Sequence, residues 1–179
     1  YTKVKERFCM KSKKQAAEIV ELLEQEYPLA ECFLDSDGAW QLLVAVRLSA
    51  QCTDLRVNAT TPILFGKFPT VDALADADVK EITEIVKPCG LGNSKARDIK
   101  ACMTMLRDEY NSVVPDNMDD LLKLPGVGRK TANLLLGDIY AVPGSVVCDT
   151  HCIRICGKLG LSRGKEPEKS FRTKRTGRK

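Results

Sequence analysis

The sequence predicts an all-α protein, and three observations carry that prediction. Apolar residues recur at spacings of three and four along most of the chain, as on one face of a helix, and no alternating stretch of useful length appears. Helix start and stop residues bracket these stretches at short intervals: Ser12 with Gln15, Thr70, Asp78 and Asn117 at starts, Pro28, Pro88-Cys89-Gly90 and Gly160 at ends. Aromatic residues are only 6% of the chain, so the core must come from Leu, Ile, Val and Ala. At 179 residues the chain can bury a real core in one or two compact units. Eight or nine short helices joined by short loops are expected.

The first helix is predicted over residues 12–27. Ser12 and Gln15 have capping-box spacing, Ala16, Ile19, Leu22 and Leu23 form the apolar face, and Pro28 follows. A second helix starts near Asp37-Gly38 and carries Trp40, Leu43, Val44 and Leu48. A third begins at Thr53, with Leu55, Val57 and Ala59, and ends before Pro62. Thr70 caps a short helix over Val71–Ala75, and Asp78 caps another reaching Val86. Gly92-Asn93 opens the longest helix, whose buried face is Ile99, Cys102, Met103 and Leu106, up to Tyr110. A short helix over Asn117–Lys123, a longer one over Arg129–Tyr140, a turn at Pro143-Gly144, an extended Ser145–Val147 and a last helix from Asp149 or Thr150 to about Gly160 complete the prediction.

The formal net charge of +4 conceals an uneven distribution. The last 17 residues hold eight Lys/Arg against two Glu, which leaves 20 basic against 22 acidic residues in the first 162. A uniformly basic nucleic-acid binder is thereby excluded; any nucleic acid must be met by a local site. Residues 163–179, with Phe171 as their one large apolar residue, are expected to be a basic disordered tail. Leu42–Leu48, the most apolar run, is interrupted by Arg47 and too short to span a membrane, and no signal-peptide pattern is seen. None of the eight cysteines forms a Cys-x-x-Cys pair. Cys148, Cys152 and Cys156 fall on one helical stripe and read, with Ile155 and Leu159, as a packed face of buried free thiols, not a metal set or disulfides.

The chemistry concentrates at Leu124-Pro-Gly-Val-Gly-Arg-Lys130. Gly126 and Gly128 permit a tight turn and a close approach of backbone to a partner. The turn opens onto a helix N-terminus, where free N–H groups and the dipole favour an anion. Backbone N–H groups of Gly126, Gly128 and Lys130 would hold a phosphate, and Arg129 adds charge there. Lys130 sits in that first turn beside Arg129, where its amine is placed to act as a nucleophile. Asp149 precedes a helix and suits an N-cap, a role compatible with remaining an ionised carboxylate at a reacting centre. His151, the single histidine, reads as a helix-start residue more than a catalyst.

Three further stretches accompany the hairpin: Leu48-Ser-Ala-Gln-Cys-Thr-Asp54, Cys89-Gly-Leu-Gly-Asn-Ser-Lys-Ala96 and Val147-Cys-Asp-Thr-His-Cys-Ile-Arg154. Together with Leu124–Asn133, and with Asp149 19 residues after Lys130, they resemble the endonuclease III family of helix-hairpin-helix base-excision DNA glycosylases with lyase activity. The resemblance spans roughly residues 13–161. It implies the helical DNA-glycosylase fold and action on oxidised pyrimidines in damaged double-stranded DNA. By resemblance Lys130 is the Schiff-base nucleophile, leading on to β-elimination, and Asp149 is its catalytic carboxylate. Gln51 is the plug that fills the stack when a nucleotide is extruded, and Leu91 the wedge. Asp54 either caps a helix or lines the pocket.

Members of that family commonly carry a Cys-x6-Cys-x2-Cys-x5-Cys set for a 4Fe-4S cluster. Only 30 residues follow Asp149 here and no Cys follows Cys156, so neither cofactor nor metal is expected in this chain, nor the C-terminal iron-sulfur module. Exposed apolar surface on Ile19, Leu22 and Leu23 follows from that expectation. The expected organisation is an N-terminal helix of an incomplete terminal domain at 1–30, a six-helix core with the hairpin at 31–144, the Asp loop and helix at 145–162 and the tail at 163–179. A monomer without membrane attachment is expected, cytoplasmic and nucleoid-associated or nuclear, not secreted. The competing reading is a catalytically impaired DNA-binding remnant. An adenine-specific monofunctional relative is disfavoured because such enzymes lack a lysine where Lys130 stands.

Overall fold

A computed structural model describes residues 10–30 and 32–162. Every regular element among them is helical: α1 (Lys13–Glu26), α2 (Ala39–Ser49), α3 (Asp54–Lys67), α4 (Val71–Asp76), α5 (Val79–Val86), a 3-10 turn (Lys87–Cys89), α6 (Gly92–Tyr110), α7 (Met118–Leu121), α8 (Arg129–Asp138) and α9 (Thr150–Lys158). The chain forms two compact units. One is Cys32–Ser145, and the described part of the other is residues 10–30 and 146–162.

Local chemistry sets most helix starts. Ser12 and Gln15 exchange the reciprocal bonds of a capping box. The side chains of Thr70, Asp78, Asn117 and Asp149 each accept a first-turn N–H, from Ala73, Lys80, Asp120 and Cys152. In the Cys32–Ser145 unit, α4 and α5 pack on α6, α2 packs on α3, α6 and α8, and α7 meets α8. Leu42, Leu48, Val57, Leu64, Ile82, Leu106, Leu121 and Leu135 are among the core residues sealed there.

Several elements depart from expectation. Pro62 does not end the third helix: α3 runs through it to Lys67. The proline forfeits one backbone bond, but Val57, Thr60, Thr61 and Leu64 bury the face around it, and Thr60 Oγ1 donates to the Arg56 carbonyl. Leu55 is 84% exposed and Ala59 is exposed, so the buried stripe of α3 is Val57-Thr60-Thr61-Leu64. Helix α8 stops at Asp138, two residues early. Ala141 takes a left-handed φ of 49°, Val142 N–H closes back on the Leu136 carbonyl at 2.8 Å, and the Tyr140 hydroxyl donates to the Val114 carbonyl at 2.6 Å. Helix α7 is likewise shorter than expected, because Leu124 must turn inward to be buried before the hairpin.

In the other unit the Lys11 N–H donates to the Gly160 carbonyl at 2.9 Å. Neither α1 nor α9 has a buried residue. Leu22 is 63% exposed and Leu23 is exposed too, as expected, but Ile19, expected to be exposed with them, is half-buried. The thiols of Cys148, Cys152 and Cys156 are half-buried and Ile155 is 44% exposed, so the packed face expected on α9 is incomplete. Of the described cysteines only Cys89 and Cys102 are buried, and Cys32 is exposed. The expected basic tail with Phe171 lies outside the described residues.

Candidate active site

The hairpin is built as its sequence requires. Leu121 and Leu124 are buried and anchor its base. The Val127 N–H closes on the Leu124 carbonyl at 3.1 Å, and Gly126 sits at φ 77°, where a side chain would be strained. A Cβ at Gly126 would also lie 3.2 Å from the Arg47 side chain. Arg47 on α2 forms an ion pair with Asp98 on α6, its Nε donating at 3.0 Å. This pair lies directly behind the hairpin and was not anticipated from sequence.

Gly128 is the N-cap of α8 and offers no side chain to the first-turn N–H groups. Arg129 and Lys130 follow at the first and second helical positions, both exposed, as are Gly126 and Gly128. The arrangement presents uncapped N–H donors, the positive end of a helix dipole and two cationic side chains on one exposed turn, which suits a phosphate group.

Gln51 lies in the turn between α2 and α3, exposed, with φ 56°. Leu91 is the N-cap of α6, 60% exposed, with φ 52°. Both are non-glycine residues held in left-handed backbone, a conformation that persists only when surrounding structure imposes it. Asp54 caps nothing: it is the first residue of α3 after the N-cap Thr53, exposed.

Asp149 is the N-cap of α9, half-buried, its Oδ1 accepting the Cys152 N–H at 2.6 Å. His151 is exposed in the first turn of α9. The Cys32–Ser145 unit carries Gln51, Leu91, Gly126, Gly128, Arg129 and Lys130, and the other carries Asp149.

A residue that sequence reasoning passed over is Lys95, which has no exposed surface. Its Nζ donates to the Leu48 carbonyl at 2.8 Å and to the Cys89 carbonyl at 2.7 Å. Burial holds its pKa below the usual lysine value, against the opposing pull of the Cys52 and Cys89 thiols. The signal was available: Lys95 stands four residues before Ile99, on the buried stripe of α6, where a lysine needs buried acceptors.

Among the described residues, no group of three or more His, Cys, Asp or Glu is arranged to hold a metal ion. Cys152 and Cys156 approach to 3.9 Å between sulfurs on successive turns of α9. Burial and the neighbouring Cys156 thiol push the Cys152 thiol up. No helix among the described residues is long and apolar enough to cross a membrane.

Known proteins share this helical fold. Residues 44–177 match the model of the HhH-GPD superfamily of base excision DNA repair proteins. The chain is 45% identical over 159 residues to endonuclease III of Synechocystis sp., covering 88% of this chain and 73% of that relative. A solved structure of a trapped endonuclease III–DNA covalent intermediate superposes with a TM-score of 0.83 at 37% identity, covering 90% of this chain and 76% of that one. A non-covalent endonuclease III–DNA complex superposes with a TM-score of 0.81 at 39% identity, covering 88% and 73%.

Proposed function

The chain belongs to the endonuclease III family within the HhH-GPD superfamily of base-excision DNA repair proteins, and from that premise we propose that it is a bifunctional DNA glycosylase and abasic-site lyase acting on oxidised pyrimidines in damaged duplex DNA. The observation that carries the reading is Lys130, exposed in the first turn of a helix whose glycine N-cap leaves the turn open to a phosphate. A duplex phosphate seated on the N–H groups of that turn fixes the DNA relative to the amine without reading sequence.

The unprotonated Lys130 amine gives its electron pair to C1′ of the extruded nucleoside. The C1′–N bond breaks, its bonding pair leaves with the base, and the base takes up the proton that the newly bonded amine gives up. The Lys130 nitrogen pair then forms a C1′=N bond as the C1′–O4′ bond breaks and O4′ takes up a proton, which gives a protonated Schiff base. Loss of a proton from C2′ then expels the 3′-phosphate, breaking the C3′–O bond and the strand. Water finally releases Lys130 from the sugar. Asp149 serves as the ionised carboxylate that stabilises the cationic sugar and assists proton transfer, with its Oδ1 steadied by the Cys152 N–H. Gln51 and Leu91 enter the stack as plug and wedge. The protein acts as a monomer on DNA, in a nucleoid-bearing cytoplasm or a nucleus.

Borohydride trapping on duplex DNA with an abasic site tests this. The expected result is a covalent adduct with the native chain and none with Lys130→Ala; no native adduct, or equal trapping by the variant, overturns it. A second reading, a DNA-binding remnant without turnover, is favoured by one observation: the helix that Asp149 caps has no buried residue. It predicts duplex binding without strand nicking.

A further inference from the structure

The buried ammonium of Lys95 joins two parts of the chain that are remote in sequence. The Leu48 carbonyl belongs to the last turn of α2, where helix geometry leaves carbonyls without partners, and Gln51 follows three residues later. The Cys89 carbonyl ends the 3-10 turn, and Leu91 follows two residues later, after Gly90 at φ 73°. The backbone N–H of Lys95 also donates to the Leu91 carbonyl at 3.0 Å. One residue thus grips the Leu91 loop by its main chain and its side chain, and the Gln51 loop by its side chain. Each loop presents an exposed residue in left-handed backbone. Such conformations hold only where neighbouring bonds over-determine them, and Lys95 supplies bonds to both.

We propose that Lys95 is a positioning residue that ties the Gln51 loop to the Leu91 loop, so that the two side chains enter the base stack of a duplex at a fixed spacing. This rests on the reading of Gln51 and Leu91 as plug and wedge. Lys95 touches neither DNA nor the reacting atoms, since it is wholly enclosed. Its effect is confined to substrates whose stack must be opened. Single-stranded DNA offers no paired stack to open, so the strut matters little there.

The test compares the native chain with Lys95→Met, which keeps the length of the side chain and removes the ammonium. Single-turnover borohydride trapping is measured on one abasic strand, both annealed and single-stranded. A 2-aminopurine beside the abasic site reports stack opening in the duplex independently of chemistry. The expected outcome is a loss of duplex trapping on the order of 10- to 100-fold, with single-strand trapping changed far less and the 2-aminopurine signal reduced. Adding Leu91→Ala to Lys95→Met should then cost less than it does in the native background.

Equal losses on both substrates, or an unchanged ratio, overturn the proposal and leave the glycosylase reading standing. If the native chain traps neither substrate, that reading fails, and 2-aminopurine decides the strut alone: a native signal that Lys95→Met reduces supports it, and no native signal or an unaltered one overturns it. Should Lys95→Met not fold, Lys95→Gln, whose amide is one bond shorter and leaves the bridge between the Leu48 and Cys89 carbonyls broken, is read in the same way. Failure of both to fold overturns the proposal, because it makes Lys95 a pillar of the whole core.

Discussion

The unit spanning Cys32–Ser145 and the unit containing α1 and α9 differ most in what each buries. The first seals Leu48, Val57, Leu64, Ile82, Leu106 and Leu135 among many others, and even accommodates a lysine inside. Helices α1 and α9 seal nothing, with large apolar side chains such as Leu22, Leu23 and Ile155 in solvent. Apolar burial is the main stabilising contribution to a fold, so local capping must carry more of the load in the second unit. The comparison divides the proposed chemistry as well. Lys130, the hairpin, Gln51 and Leu91 stand on a packed scaffold, whereas Asp149 stands on a helix held at its start by its own side chain.

Amide hydrogen exchange offers the widest contrast. Amides within α2 and α6 should exchange more slowly than those within α1 and α9 by a factor on the order of 10³ or more, as global and local opening differ. Comparable protection in both sets would break the comparison. Next in size is truncation of single leucines. Leu135→Ala, in the core, should lower unfolding stability in denaturant by about 2–5 kcal/mol. Leu22→Ala should change it by less than about 0.5 kcal/mol.

The Asp149 substitutions sharpen the contrast. Asp149→Ala removes a cap worth about 0.5–2 kcal/mol, and the loss should appear as faster exchange within α9 while α6 is unchanged. Asp149→Asn keeps the cap and removes the charge. Preserved α9 protection with lost turnover would therefore separate the two roles, and lost protection in both variants would merge them.

A further effect is confined to alkaline pH. Burial, and secondarily Asp98, pushes the Cys102 thiol up to about 12 from an ordinary 9.0. Between those values the unfolded chain has released a proton that the folded chain retains, so stability falls as pH rises through this window. Alkaline denaturation should show that slope, and Cys102→Ala should flatten it; an unaltered slope would mean that other groups carry it.

Much of the fold is legible in the residues alone. Ser12, Thr70, Asp78, Asn117 and Asp149 declare helix starts through bonds to N–H groups two or three residues away. The Leu124–Lys130 hairpin declares itself by the positions of its glycines. Leu55 misleads because its 3.6-residue phase fits two faces of α3 and only the packed neighbours choose between them. Arg47 and Asp98, 51 residues apart, give no sign in the sequence of pairing behind the hairpin.

What the sequence by itself determined, then, is where helices begin, where the glycine turn falls and which side chains could act there, because capping and φ preferences operate over a few residues. Tertiary structure alone decided that α3 continues through Pro62, that α8 stops at Asp138 and that Lys95 is enclosed between two loops. Those outcomes depend on burial and on bonds to carbonyls far away in sequence, such as Leu48 for Lys95, and short-range preference contains no information about which distant groups will meet.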